Sequence, residues 1–149
     1  METKPKKKKK VFMEGAIPAS FIGESIHKHQ TKTTIGAHDI FLGQVRADEI
    51  DGKTVKAIEY TAYEEMAEEK LHDIRESAFE KFNLTCMHIY HSLGIVATGE
   101  ICLFVFVSSP RRKEVFKAIE YLVERIKEEV PIFGKEFFED ESHQWKENK

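Results

Sequence analysis

Residues 101–136 read ICLFVFVSSPRRKEVFKAIEYLVERIKEEVPIFGKE, and this stretch decides the fold. Its opening ICLFVFV is apolar without interruption and stops at Ser108 and Ser109, the pattern of a strand buried on both faces just before a turn. A helix is predicted next. Ser109 suits the N-cap and Pro110 the first helical position, while Val115, Ile119, Leu122 and Ile126 recur at three- and four-residue steps along one face. Val130 and Pro131 end the periodicity.

The placement of the cations adds chemistry to this frame. Arg111 and Arg112 fall in the first turn, where unpaired N–H groups and the helix dipole already present positive charge. A bound phosphate or carboxylate would relieve that, taking N–H groups and a bidentate guanidinium together. On charge placement alone the pair reads equally well as solvated arginines or as partners of the chain's many acids. Lys127 lies sixteen positions beyond Arg111, about 24 Å at helical rise, so one small ligand cannot touch both within one chain. Either the sites are separate, or a two-fold dimer sets the start of one helix beside the end of its mate.

Working outward, the 149 residues suit one domain, set here at 11–149, with residues 1–10 a disordered basic tail. Hydrophobic residues at 41% and charged residues at 33% describe an ordinary globular chain, and no apolar run is long enough to span a bilayer or serve as a signal peptide. The cytoplasm is the expected location, with no membrane partner. The net charge of −3 argues against a nucleic-acid binder, and the lysines at 6–10, with no interleaved aromatics, read as a solubilising arm. Cys86 and Cys102 match no metal or redox spacing and are expected to be reduced core residues.

In chain order, 11–17 is predicted as a short edge strand and 18–30 as a short helix carrying Phe21, Ile22 and Ile26. Residues 36–45, GAHDIFLGQV, read as a strand, and Asp51-Gly52 as the turn of a hairpin that pairs it with a strand over 55–63. Arg46 stands at the near end of that hairpin. By itself it reads as a solvated arginine, although its side chain is long enough to reach over an adjacent pocket. Residues 64–82 form a second helix with Ala67, Leu71, Ile74, Ala78 and Phe82 as its stripe; 85–91 form a strand, with Gly94 and Gly99 punctuating the turn after it. Neither His27 with His29 nor His88 with His91 shares a face, so no metal site is expected. Lys135 to Phe138 reads as a last strand, and the remainder as an acidic tail in which Trp145 is an anchor. The result is an α+β domain with a largely antiparallel sheet.

Five blocks, GAHDIFLGQVR, EYTAYEEMAEEKL, HIYHSLGIVATGE, VFVSSPRRKEVF and YLVERIKEEVPIFGKEFFEDESHQW, in this order resemble the catalytic (large) subunit of molybdopterin synthase over about residues 35–145. The resemblance implies an α/β hammerhead-type fold with an additional small β subdomain, and a cytoplasmic sulfurtransferase of molybdenum cofactor biosynthesis. It also implies a homodimer that binds a ubiquitin-like sulfur-carrier small subunit at each end, making a heterotetramer. The carrier's C-terminal Gly-Gly thiocarboxylate would deliver sulfur to a pterin substrate, cyclic pyranopterin monophosphate, and two transfers would make the dithiolene of molybdopterin. Thiocarboxylate and cyclic phosphate are both anions, which gives the cations a purpose.

Residue by residue, Arg46 matches the arginine of the family's GxVR block, Arg112 that of its SSPxR block, and Lys127 the lysine four before the proline, which is catalytic in the family. Three positions depart: the family commonly has histidine at Arg111, arginine at Ser92 and a second lysine at Gly134. Arg111 keeps the positive charge, and Lys135 is one position from the lost ammonium. The expected site is therefore Lys127 and Lys135 for catalysis, with Arg46, Arg111 and Arg112 for substrate binding and neither metal nor cofactor. Two other classes compete: a non-catalytic paralogue that holds the carrier without turnover, and an RNA-binding module, which would need basic and aromatic residues on one open sheet face.

Overall fold

The uninterrupted apolar run does form a buried strand: in Ile101–Ser109 every residue after Ile101 is inaccessible. The chain was analysed as a computed structural model, and the structure describes residues 10–147. In order these form β1 (Phe12–Glu14), α1 (Ala19–His29), β2 (Ala37–Gln44), β3 (Glu49–Ile50), β4 (Lys53–Ala62), α2 (Glu64–Lys81), β5 (Cys86–Ala97), β6 (Ile101–Ser109), α3 (Arg112–Glu129), β7 (Ile132–Phe138) and β8 (His143–Trp145). Apart from Lys10, the basic arm lies outside the described residues. No helix among the described residues is long and apolar enough to cross a membrane.

Because side chains alternate along a strand, β6 serves two cores. Leu103, Val105 and Val107 face the layer made by Ala67, Leu71, Ile74 and Ala78 of α2 and Val115, Ala118, Leu122 and Ile126 of α3. Phe104 and Phe106 face the other way, into a smaller cluster with Ile17 and Ile22 under α1. Helices thus cover both faces of the central strands. Burying each of these phenylalanines contributes about 1.5–3 kcal/mol by transfer alone.

The strand order is β2-β6-β5-β4-β7-β8, with β1 parallel to β5 and β3 against β4. Every ladder except β1–β5 is antiparallel, so the α+β expectation holds. One strand is shared. The first half of β5 pairs with β6 beneath the helices, and its second half, Gly94 to Ala97, pairs with β4 in the smaller sheet that β7 and β8 complete. That smaller sheet is the additional β subdomain.

Several local expectations need correction. The hairpin across Asp51-Gly52 joins β3 to β4, whereas β2 pairs along its whole length with β6, from Ala37↔Ser109 onward. A tight turn fixes only the residues flanking it, and Val45 is drawn away from that turn by bonds exchanged with Gly99 and Glu100. Strand β5 does not stop before Gly94 but runs through it at φ +83, bending where the Glu14 carboxylate lies over the glycine. The turn is at Gly99 alone, with φ +87. Helix α3 starts later than predicted: Arg111 is the N-cap and Pro110 precedes it. Ser109 remains in β6, where its Oγ donates to the Asn83 carbonyl at 2.7 Å and accepts the Arg111 N–H at 3.3 Å. The acidic tail also folds back as β8, with Trp145 opposite Lys135.

Gly36 ties β2 to the loop that carries the two arginines. A Cβ there would stand 2.2 Å from the Pro110 carbonyl oxygen, while the Gly36 N–H bonds Ser109 O at 3.0 Å. Backbone must move to admit even a methyl. Gly36→Ala is expected to destabilise the fold by about 1–3 kcal/mol, read as a lowered midpoint of urea unfolding. An unchanged midpoint would show that the loop yields freely.

Candidate functional site

Lys127 lies in the last turn of α3, exposed, one residue after the buried Ile126. Arg125, two residues earlier and so nearly opposite on the helix, is engaged by the Glu129 carboxylate and by the Tyr121 hydroxyl at 2.7 Å. The Lys127 ammonium is among the charges that act on the imidazole of His91, a buried residue of β5.

Around His91 the sheet gathers several buried polar side chains. His91 Nδ1 is 2.8 Å from the carbonyl oxygen of Ser92, which can only accept, so Nδ1 carries the hydrogen and Nε2 the lone pair. Burial lowers the imidazole's pKa from 6.5 to about 4, and the Lys127 ammonium acts in the same direction. His91 is neutral at physiological pH. Tyr60 of β4 sets its ring edge-on to the imidazole, centroids 5.0 Å apart. The Tyr60 phenol is held protonated chiefly by burial, with the Cys102 thiol and the Glu136 carboxylate adding to the rise. Glu136 is itself buried and accepts from Gln144 Nε2 at 3.2 Å.

Gly134 completes this wall, paired directly with Tyr60 across β4 and β7. A Cβ at 134 would lie 3.4 Å from Tyr60 Cε1 and 3.0 Å from Ile58 Cγ2, so a side chain there would meet Ile58 and Tyr60 first. Lys135 faces the other way. It stands opposite Glu59, with its ammonium over the rings of Phe137 at 5.8 Å and Trp145 at 5.7 Å. The structure therefore does not bring Lys135 to Lys127 within one chain, and strand alternation is the reason. Trp145, 61% exposed, anchors the β7–β8 hairpin by that contact rather than by entering a core.

The arginines are dispersed. Arg46 follows the buried Val45 and is largely exposed, its guanidinium meeting Asp48 through Nε at 3.2 Å and a terminal nitrogen at 3.3 Å. Arg111 and Arg112 are exposed at the start of α3, about 22–24 Å along the helix from Lys127. One protomer therefore does not bring Arg111 or Arg112 together with Lys127. Nor does shape locate the site, since an open groove lined by Phe12, Met13, Phe21, His88 and Tyr90 lies on the α1 side of the sheet. There His29 and His88 meet nitrogen to nitrogen at 2.8 Å, a contact invisible in sequence because 59 residues separate them. Tyr60, His91 and Glu136 were likewise passed over as ordinary strand residues; the one local cue was polar character inside otherwise apolar ladders.

The order and spacing of these elements match known proteins. Residues 19–129 match the family described as MoaE protein. The chain belongs to that family. A molybdopterin synthase catalytic subunit from Bacillus subtilis is 41% identical over 122 residues, covering 82% of this chain and 76% of that one. Another from Emericella nidulans is 36% identical over 122 residues, again 82% of this chain but only 62% of its own length. Molybdopterin synthase from Staphylococcus aureus superposes with a TM-score of 0.80 at 35% identity, over 92% of this chain and 96% of that one. Subunits 1 and 2 of the molybdopterin-converting factor from Helicobacter pylori, solved as a protein–protein complex, include a chain of the same fold, with a TM-score of 0.79 at 17% identity over 93% and 90%. The MoaE fold is thus the frame in which His91 and Gly134 both meet Tyr60.

Proposed function

We propose that this MoaE chain is the catalytic subunit of a molybdopterin synthase. It would transfer sulfur from the C-terminal thiocarboxylate of a small ubiquitin-like carrier to cyclic pyranopterin monophosphate, twice, to form the dithiolene. The observation that carries this is Lys127, an exposed cation in the last turn of α3 whose charge acts on the buried imidazole of His91. An ammonium there suits an anionic thiocarboxylate whose charge moves as sulfur leaves, because it offsets that charge where it develops. Arg46, Arg111 and Arg112 would hold the pterin's cyclic phosphate. The separation of Arg112 from Lys127 means that these residues act together only across two copies of the chain.

The decisive experiment supplies purified carrier thiocarboxylate and pyranopterin precursor and follows dithiolene formation. Product formation supports synthase activity, and carrier binding without product would favour a non-catalytic paralogue. The same assay tests Lys135. Its ammonium rests on two rings on the face away from Tyr60, so Lys135→Ala is expected to stay within about twofold of the parent rate. A loss of a hundredfold would mean that Lys135 replaces the ammonium absent at Gly134, with its side chain reoriented on substrate binding.

A further inference from the structure

We propose that His29 and His88 form a two-histidine site for a borderline divalent transition ion of the zinc(II) class, clamping α1 to β5. The site is on the α1 side of the sheet and does not depend on the sulfurtransferase reading. Its two nitrogens already meet: His29 Nε2 is 2.8 Å from His88 Nε2, with ring centroids 4.7 Å apart. The other nitrogen of His29 fixes its tautomer. Nδ1 is 2.7 Å from the carbonyl oxygen of Ser25, which can only accept, so Nδ1 carries the hydrogen and the Nε2 lone pair points at His88. A carbonyl holding the far nitrogen of an imidazole is the arrangement that orients histidine ligands in metal sites.

Without an ion, the contact between neutral rings is one N–H···N hydrogen bond donated by His88. Binding replaces it: the hydrogen on His88 Nε2 passes by way of solvent to Nδ1 of the same ring, both Nε2 lone pairs bind the ion, and no proton is gained or lost. Two nitrogens about 2.0–2.1 Å from a tetrahedral ion are about 3.3–3.4 Å apart, so the pair must open by about 0.5 Å. His88 can make that movement. His29 is buried and held by Ser25, whereas His88 is half-buried and lines the open groove with Phe12, Met13, Phe21 and Tyr90, which supplies the way in. The buried Phe106 packs edge-on to His29 at 4.8 Å and stacks with His88 at 6.3 Å, an apolar backing for both ligands. Among the described residues no three histidine, cysteine or acidic side chains stand close enough to enclose an ion. The protein therefore supplies two ligands and solvent the rest, which suits an ion that favours imidazole and excludes magnesium and calcium, which favour oxygen ligands.

Zinc(II) chloride titrated calorimetrically into the whole chain should reveal one tight site per chain. His29→Gln and His88→Gln should each bind zinc about a hundredfold more weakly, because two tethered ligands exceed one by that order, and magnesium should not bind. Zinc should raise the thermal unfolding midpoint of the parent protein and leave that of either variant unmoved, since an ion that holds only the folded pair stabilises it. Unfolding without zinc identifies a variant that has lost its fold. Lys127→Ala should bind zinc as the parent does. Equal zinc affinity in the parent and in the folded variants would overturn the proposal.

A second measurement needs no variant. In NMR of the parent chain, one equivalent of zinc should shift the ring resonances of His29 and His88 together and turn His88 to its Nδ1–H tautomer. If those resonances stay in place while the rings of exposed histidines such as His27 and His143 respond, zinc binds at the surface and the proposal fails.

Discussion

Replacing Lys127 by alanine is expected to slow single-turnover sulfur transfer by a hundredfold or more while leaving the fold intact. The side chain is exposed, and the last turn of α3 is held by its neighbours Ile126 and Val130, both buried in the main core, so truncation opens no cavity. What is lost is a cation whose charge acts on the buried His91 imidazole and would offset the charge that moves as sulfur leaves. Removing one such contact costs about 2.7–4 kcal/mol of transition-state stabilisation, which is the hundredfold or more stated. Carrier affinity should fall much less than rate, because the small subunit would also be held by protein surface away from its terminus. A rate within threefold of the parent protein would take Lys127 out of the mechanism, and the buried wall would then need another function.

Mixing two inactive proteins should restore activity. With α3 running from Arg112 to Glu129, Arg112 and Lys127 are about 22 Å apart along one rigid helix, too far for one substrate phosphate and one carrier terminus meeting at a single reacting carbon. If a two-fold dimer apposes the start of one α3 and the end of the other, each site takes Arg112 from one chain and Lys127 from its mate. In a heterodimer of Arg112→Ala and Lys127→Ala chains, one composite site has both residues and the other has neither. Random exchange at equal concentration puts half the chains in heterodimers, so about a quarter of parent activity should return. Each variant alone should stay near background. Demonstrated exchange with no recovery would show that each site is built within one protomer, leaving Arg112 to bind something else.

The sequence carried more of the frame than of the site. The buried strand and both long helices could be read because each signal is local: an unbroken apolar run, or apolar residues recurring near 3.6, needs no knowledge of the rest of the chain. Even the opposed faces of His88 and His91 followed from spacing, and they do lie apart, one on His29 and Phe106 and the other on Tyr60. The start of α3 was misread by a local signal that was valid but outvoted. Ser109 has the chemistry of an N-cap, yet pairing with Ala37 and bonding to Asn83 keep it in β6. Lys135 shows how short sequence distance differs from position in a sheet: one position is a small step along the chain, but in a strand it is a change of face from Gly134.

The main helices and strands, the α+β class and the family were determined by the sequence itself, since residue type and spacing along the chain suffice for each. Tertiary structure alone decided that β2 lies against β6, that Trp145 supports a hairpin, and that His91 and Gly134 both meet Tyr60. Partners across a sheet are separated by tens of residues and chosen by what the whole chain can bury at once. A polar residue therefore acquires its charge state and its role only when that choice has been made.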